Sequence, residues 1–167
     1  MANFQEQLDT LQNQQGGGLS KYLTFALGDE SYGLEILKVR EIIGLMDITR
    51  VPRMPHFVRG VINLRGRVIP VMDLRLKFGM EAAPDTAETC IIVVDLDGLL
   101  TGVLVDRVSE VADIAGEQIE PPPDFGASVS TRFILGIGKT ASRVILLLEI
   151  AEVLTRGDMR ALAGVAE

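Results

Sequence analysis

Tyr32-Gly33-Leu34-Glu35-Ile36-Leu37-Lys38-Val39-Arg40-Glu41-Ile42 returns in outline 69 positions later as Thr101-Gly102-Val103-Leu104-Val105-Asp106-Arg107-Val108-Ser109-Glu110-Val111. Gly33 falls on Gly102, Val39 on Val108 and Glu41 on Glu110, Lys38 meets Arg107, and apolar side chains meet at Leu34, Ile36 and Ile42. A slide of 76 continues the match, carrying Phe57-Val58-Arg59-Gly60-Val61 onto Phe133-Ile134-Leu135-Gly136-Ile137, Arg67-Val68-Ile69 onto Arg143-Val144-Ile145, and Asp73-Leu74 onto Glu149-Ile150. The loop around Pro121-Pro122-Pro123 absorbs the difference in offset. Self-similarity at a fixed period marks copies of one structural unit. Two strand-rich copies predict two small β-barrels of similar build, because a barrel closes the edges that a short sheet would leave unpaired.

Around the repeat, short runs rich in Val, Ile and Leu alternate with turn residues. Tyr22–Leu27 ends at Gly28-Asp29, and Cys90–Val94 precedes Asp97-Gly98, a dipeptide suited to a type I′ hairpin turn. Val68–Leu74 and Arg143–Ile150 are further strands. Helical texture is confined to the end, where a helix is expected from Ala151 with an interruption at Gly157. Residues 1–18, with Phe4, Leu8 and Leu11 at helical spacing and the joint Gly16-Gly17-Gly18, read as a flexible tail. The chain thus divides into a tail (1–18), one domain holding both copies (19–156) and a C-terminal helix or tail (157–167).

Composition narrows the function. The 167 residues carry 23 acidic and 16 basic side chains, a net charge of −7, with one Cys, one His and no Trp. A lone Cys90 makes no intrachain disulfide, and with a single His no closed zinc site can be assembled, so no metal or cofactor is expected. The apolar run Val144–Leu148 stops at Glu149, far short of the ~18 residues of a membrane span. The expected setting is the cytoplasm, without insertion into a membrane.

Motifs for chemistry fail on inspection. Gly138-Lys139-Thr140 ends like a phosphate-binding loop, yet Phe133 stands where its first glycine belongs and a strand-like run follows instead of a helix. Asp95-Leu96-Asp97-Gly98 begins like a calcium loop but has Leu99 at the third ligand position. His56 lacks a partner His, Ser or Cys around it, and Cys90 heads an apolar run. No catalytic constellation emerges, and the expectation is a protein that is not an enzyme. Charge is unevenly spread. Residues 50–77 hold Arg50, Arg53, Arg59, Arg65, Arg67, Arg75 and Lys77 against Asp73 alone, +6 in a background of −13. Such a stretch either meets an acidic partner, pairs with acids elsewhere in the chain, or binds nucleic acid; the last is weakened because only Phe57 and Phe78 are available for stacking.

Tyr22–Glu30, Ile36–Ile42, the block Gly60-Val61-Ile62-Asn63-Leu64-Arg65-Gly66 with Val68–Arg75, Val103–Val111 and Leu135–Gly138 together resemble the bacterial chemotaxis coupling family, CheW, over about residues 21–154. The resemblance implies a mainly β fold of two intertwined five-stranded SH3-like barrels with short helices and a C-terminal helix. It implies a non-enzymatic adaptor that couples the cytoplasmic tips of methyl-accepting chemoreceptors to the regulatory domain of the histidine kinase CheA in membrane-associated arrays. Receptor would occupy a groove between the barrels and kinase the barrel ends, and contacts among copies in rings belong to the same picture. On the matching positions it implies partner-binding roles for Val39, Glu41, Asn63, Arg65, Gly66, Gly102 and Val108, with Val39 and Val108 giving apolar contact and Arg65 a planar fork for a carboxylate, internal (Glu41) or on a partner. Glycines 60, 66, 102 and 136 serve tight turns or close backbone approach. Two readings from other classes remain: a nucleic-acid-binding barrel using 50–77, and a nucleotide-binding protein using Gly138-Lys139-Thr140.

Overall fold

Each apolar run bounded by turn residues becomes a strand in the computed structural model, which describes residues 19–122 and 132–166. The strands are β1 (Leu19–Leu27), β2 (Glu30–Glu35), β3 (Val39–Gly44), β4 (Val58–Leu64), β5 (Arg67–Asp73), β6 (Cys90–Leu96), β7 (Leu99–Val105), β8 (Arg107–Ala115), β9 (Ile119–Glu120), β10 (Ile134–Lys139) and β11 (Val144–Leu148). Short 3₁₀ turns cover Ile36–Lys38 and Gly116–Gln118, and helices are α1 (Leu74–Lys77), α2 (Ile150–Val153) and α3 (Arg156–Ala166). The tail with Phe4, Leu8 and Leu11, and Pro123 of the proline loop, lie outside the described residues.

Two sheets form, ordered β3-β6-β7-β5-β4 and β8-β1-β2-β11-β10, the second extended by the two-residue β9. By the repeat, β1 to β5 correspond to β6, β7, β8, β10 and β11. Each barrel therefore takes its leading hairpin from one copy and its other three strands from the other copy. The parallel pairs fall at equivalent places, β5 with β7 and β11 with β2. Parallel neighbours need a long crossover: between β2 and β11 the chain runs through the opposite sheet, whereas between β5 and β7 the crossover is α1, the segment 78–89 and β6 of the same sheet. The expected barrels are present, and they are intertwined.

Local devices fix the registers. Asp97 and Gly98 join Leu96 to Leu99 with φ of 51° and 93°, the type I′ turn expected from the sequence. Where the β1–β8 register shifts between Thr24 and Phe25, the buried Thr24 hydroxyl donates to the Glu110 carbonyl (2.8 Å) and accepts from the Glu110 amide (3.1 Å), so the bulge leaves no polar group unsatisfied. Paired backbone hydrogen bonds between Thr49 and Val61, both 2.8 Å, bring the end of the β3–β4 connection onto β4.

The largest core lies between the sheets. Leu23, Phe25, Leu27 and Leu34 of the β8-β1-β2-β11-β10 sheet pack with Val39, Met72, Ile92, Val94, Leu96 and Val103 of the other, all essentially inaccessible to solvent. A smaller cluster, Ile62, Ile69, Val71, Ile91, Val93 and Leu104, fills the β3–β7 barrel, and Tyr22, Ile114, Ile145 and Leu147 fill its neighbour. Strand β6 thus buries Ile91 and Val93 on one face and Ile92 and Val94 on the other. This is why residues 90–94 read as an unbroken apolar run rather than an alternation.

The C-terminal helical segment breaks earlier than expected. The interruption lies at Leu154-Thr155, and Gly157 is inside the first turn of α3. Thr155 Oγ1 accepts the Asp158 amide (3.1 Å) while the Asp158 carboxylate accepts the Thr155 amide (3.0 Å), a reciprocal cap that starts a new helix. Lys77 of α1 donates to the same Asp158 carboxylate (2.8 Å) and lies 4.6 Å over the Phe57 ring, tying α3 to the main body.

Candidate functional site: an inter-barrel groove and a charged barrel end

Strand β3 runs past two concave surfaces. Its beginning, Arg40 and Glu41, lines a cleft of ≈ 580 Å³ at the end of one barrel, together with Arg65 and Arg67 of the β4–β5 hairpin. Its end, Ile42, Ile43 and Gly44 with the following Leu45, lines a groove of ≈ 520 Å³. Across that groove stand Arg107 and Val108 at the start of β8, the edge strand of the other sheet, and Thr86–Cys90 leads into β6 beside it.

The barrel end is built around Asn63-Leu64-Arg65-Gly66. Leu64 pairs with Arg67, so Arg65 and Gly66 are the two central residues of a hairpin turn, with φ of 52° and 88°. Asn63 Oδ1 accepts the Gly66 amide at 2.8 Å and braces that turn. Held in the left-handed region, Arg65 projects its guanidinium onto the Glu41 carboxylate of β3 in a two-pronged contact, one prong 3.3 Å long. Arg65 is 71% exposed and Glu41 20%. Its bond to Glu41 raises the Arg65 pKa further, so the group is cationic at any working pH.

The other barrel carries a similar pairing made from a different hairpin position. Glu110, the counterpart of Glu41, accepts from Arg143, the counterpart of Arg67, in the β10–β11 hairpin. Val144 beside it is 59% exposed, as its counterpart Val68 is 46% exposed. Neither Glu110 nor Arg143 stood out in the sequence, although the repeat offsets already place both.

The start of β8 is pinned where the chain crosses between sheets. Asp106 accepts from Arg75 Nε (2.8 Å), Arg75 Nη2 (2.5 Å) and the Gly28 amide (2.6 Å), and its own amide donates to Ala26 O (3.1 Å). Hydrogen bonding to Arg75 holds the Asp106 carboxyl below the usual carboxylate range. The groove wall formed by Arg107 and Val108 is thereby fixed relative to α1 and the β1–β2 turn.

Of the seven residues expected to meet partners, Glu41, Asn63, Arg65 and Gly66 come together at the barrel end, and Val108 lies in the groove. Val39 is wholly buried in the inter-sheet core, while its counterpart Val108 is only half-buried. Gly102 is also interior. A Cβ there would come 2.8 Å from Ile91 Cγ2 and 3.3 Å from Val71 Cγ2, so the position serves strand packing. Ile42, the last residue of the repeated segment, and Leu45, which carried no motif, supply apolar side chains to the groove.

The basic stretch is largely consumed within the fold. Arg59 reaches Asp73 (3.5 Å) and Asp85 (3.4 Å), Arg65 reaches Glu41, Arg75 reaches Asp106 and Lys77 reaches Asp158. Arg50, Arg53 and Arg67 are exposed and make no ion pair among the described residues. Gly136 to Lys139 form part of strand β10, paired with β11, with Lys139 on Glu120 at 2.6 Å, so this segment is a strand and not a phosphate-binding loop. Burial pushes the Cys90 thiol up to about 11, leaving it protonated and a poor nucleophile. His56 is exposed and contacts the Leu76 carbonyl (3.3 Å).

A double barrel presenting an apolar groove and charged hairpin ends has the build of a binding scaffold. Comparison with known proteins gives that class a family. The CheW-like domain matches residues 21–158. The chain is 37% identical over 147 residues to the chemotaxis protein CheW of Klebsiella aerogenes, covering 88% of this chain and 89% of that protein. It is 34% identical over 135 residues to chemotaxis protein CheW of Thermotoga maritima, covering 79% and 85%. The crystal structure of the scaffolding protein TtCheW from Thermoanaerobacter tengcongensis superposes with a TM-score of 0.77 at 36% identity, covering 84% of this chain and 95% of that one. The protein belongs to the CheW family of chemotaxis coupling proteins, adaptors that link chemoreceptors to the kinase CheA without chemistry of their own.

Proposed function

We propose that this chain carries the two halves of the coupling function on the two surfaces lined by β3. The groove of Ile42, Leu45 and Val108 takes an α-helix of a chemoreceptor's cytoplasmic tip through its apolar face. The barrel end of Glu41, Asn63, Arg65 and Gly66 takes the regulatory domain of CheA, with the Arg65 fork shared between Glu41 and a partner carboxylate. Val39 and Gly102 support these surfaces from inside. The second barrel end, Glu110–Arg143 with exposed Val144, is the surface available to other copies in rings. The protein acts in the cytoplasm, recruited to receptor arrays. Among the described residues no helix is long and apolar enough to cross a membrane.

The observation that carries this reading is a single strand lining both surfaces, so that one rigid element sets the geometry between two partners. Its test is selective loss. Val108→Glu places a charge in the groove and should abolish binding of a receptor cytoplasmic fragment while sparing the CheA regulatory domain. Arg65→Gly removes the fork without opposing the positive φ, and should weaken kinase binding by about tenfold while sparing the receptor fragment. If either folded variant loses both partners equally, the assignment of surfaces is wrong.

A further inference from the structure

The groove's apolar walls explain affinity for a helix but not its direction, because an apolar stripe reads much the same from either end. Two charged side chains on the lining break that equivalence. Arg107 belongs to the wall contributed by β8, and Glu88 to the segment that leads into β6 on the other barrel's side. Both are exposed, and neither makes an ion pair among the described residues. The neighbouring Asp106 feels the Arg107 charge, which helps to hold its carboxyl low, but its two carboxylate oxygens are bonded to Arg75 and the Gly28 amide and form no direct ion pair with Arg107.

We propose that Arg107 determines specificity in the groove, pairing with a carboxylate that flanks the apolar stripe of the docked helix and so setting the direction in which that helix lies. Glu88 supplies the opposite sign from the other barrel's side, so a helix with an acidic and a basic flank fits in one orientation and meets like charges in the reverse one. Like-charge juxtaposition is the effective discriminator, because rim charges add little to affinity but count strongly against a wrong arrangement. This rests on the groove being the receptor site and names the chemistry of the partner helix there: apolar residues at helical spacing, with carboxylates along the side that meets β8.

The experiment measures binding of a chemoreceptor cytoplasmic-tip fragment to the full chain and to Arg107→Ala, Arg107→Lys and Arg107→Glu at low and high salt. Exposed Arg107 lies outside the core, so unchanged thermal unfolding is expected and is checked first. At low salt Arg107→Ala should weaken binding by about two- to fivefold, and the difference should vanish at high salt, where an exposed pair is screened. Arg107→Lys should retain binding. Arg107→Glu should weaken it further, and among single acidic-to-lysine changes along the fragment's tip helix, one or two adjacent positions on one side should restore it. Equal binding by wild type and Arg107→Ala at both salts overturns the role of Arg107 while leaving groove docking intact. Rescue scattered around the helix, or none at all, overturns the fixed direction. Failure of the wild-type chain to bind the fragment overturns the receptor reading itself, and this inference with it.

Discussion

Single residues divide into those that hold the fold and those that face outward, and the structure separates pairs that look alike in sequence. Gly60 and Gly66 both have positive φ, 143° and 88°. A Cβ at Gly60 would lie 2.1 Å from the Thr49 carbonyl oxygen, in the contact that brings the β3–β4 connection onto β4, whereas at Gly66 nothing lies within 4 Å. Gly60→Ala should therefore cost at least about 3 kcal/mol or prevent folding, and Gly66→Ala only the backbone penalty of about 1 kcal/mol. Denaturant midpoints of the two variants check this; comparable losses would contradict it. Val39 and Val108 carry the same lesson. Equal repeat positions gave them equal expected roles, but burial is set by which strand lies opposite, and that pairing is not written in either local sequence.

At the scale of elements, the clamp at Asp106 and the cap at Thr155 are the most testable. Asp106→Asn leaves Arg75 with a half-satisfied fork and should cost about 1–3 kcal/mol at neutral pH. Because the folded protein lowers the Asp106 pKa from its ordinary 3.8, its contribution is fully present above that value and is lost as pH falls through the lowered one. The stability gap between wild type and Asp106→Asn should thus stay constant from neutral pH to about pH 5 and close below about pH 4. A gap that persists undiminished into strong acid would show that the charge is not what the carboxylate contributes. Thr155→Ala removes the cap of α3 and should cost about 1 kcal/mol by thermal unfolding, with Thr155→Ser restoring most of it. That cap sets the break ahead of Gly157, the expected helix breaker: the reciprocal bonding of Thr155 with Asp158 three residues on is the stronger signal.

For the molecule as a whole, the strands, the Asp97-Gly98 turn and the twofold repetition were legible because each depends on local composition. The exchange of hairpins between barrels was not legible from the repeat, since a copy that closes on itself and a copy that trades strands leave the same periodicity. The candidate site was half legible. The Asn63–Gly66 block announced itself as a motif, and the pairing of Arg65 with Glu41 stood among its options. The groove came through the family resemblance alone, which named Val108; Ile42 and Leu45 are ordinary apolar residues that join it as a surface only when edge strands β3 and β8 of different sheets face one another. Likewise the +6 stretch suggested a basic face, yet four of its seven cations are paired within the fold: Arg65, Arg75 and Lys77 with Glu41, Asp106 and Asp158 from outside the stretch, and Arg59 with Asp73 inside it and Asp85 beyond it. Interlocked barrels around a shared core leave little freedom between the groove and the barrel ends, which suits a part that must hold two partners in one arrangement. The most direct measurement is sedimentation of the kinase CheA with receptor-bearing membranes as this protein is titrated in. The account predicts that kinase enters the pellet only in proportion to added protein, that Val108→Glu abolishes the effect and that Arg65→Gly shifts it to about tenfold more added protein; kinase that pellets equally without the protein, or protein that stays in the supernatant with kinase, would contradict it.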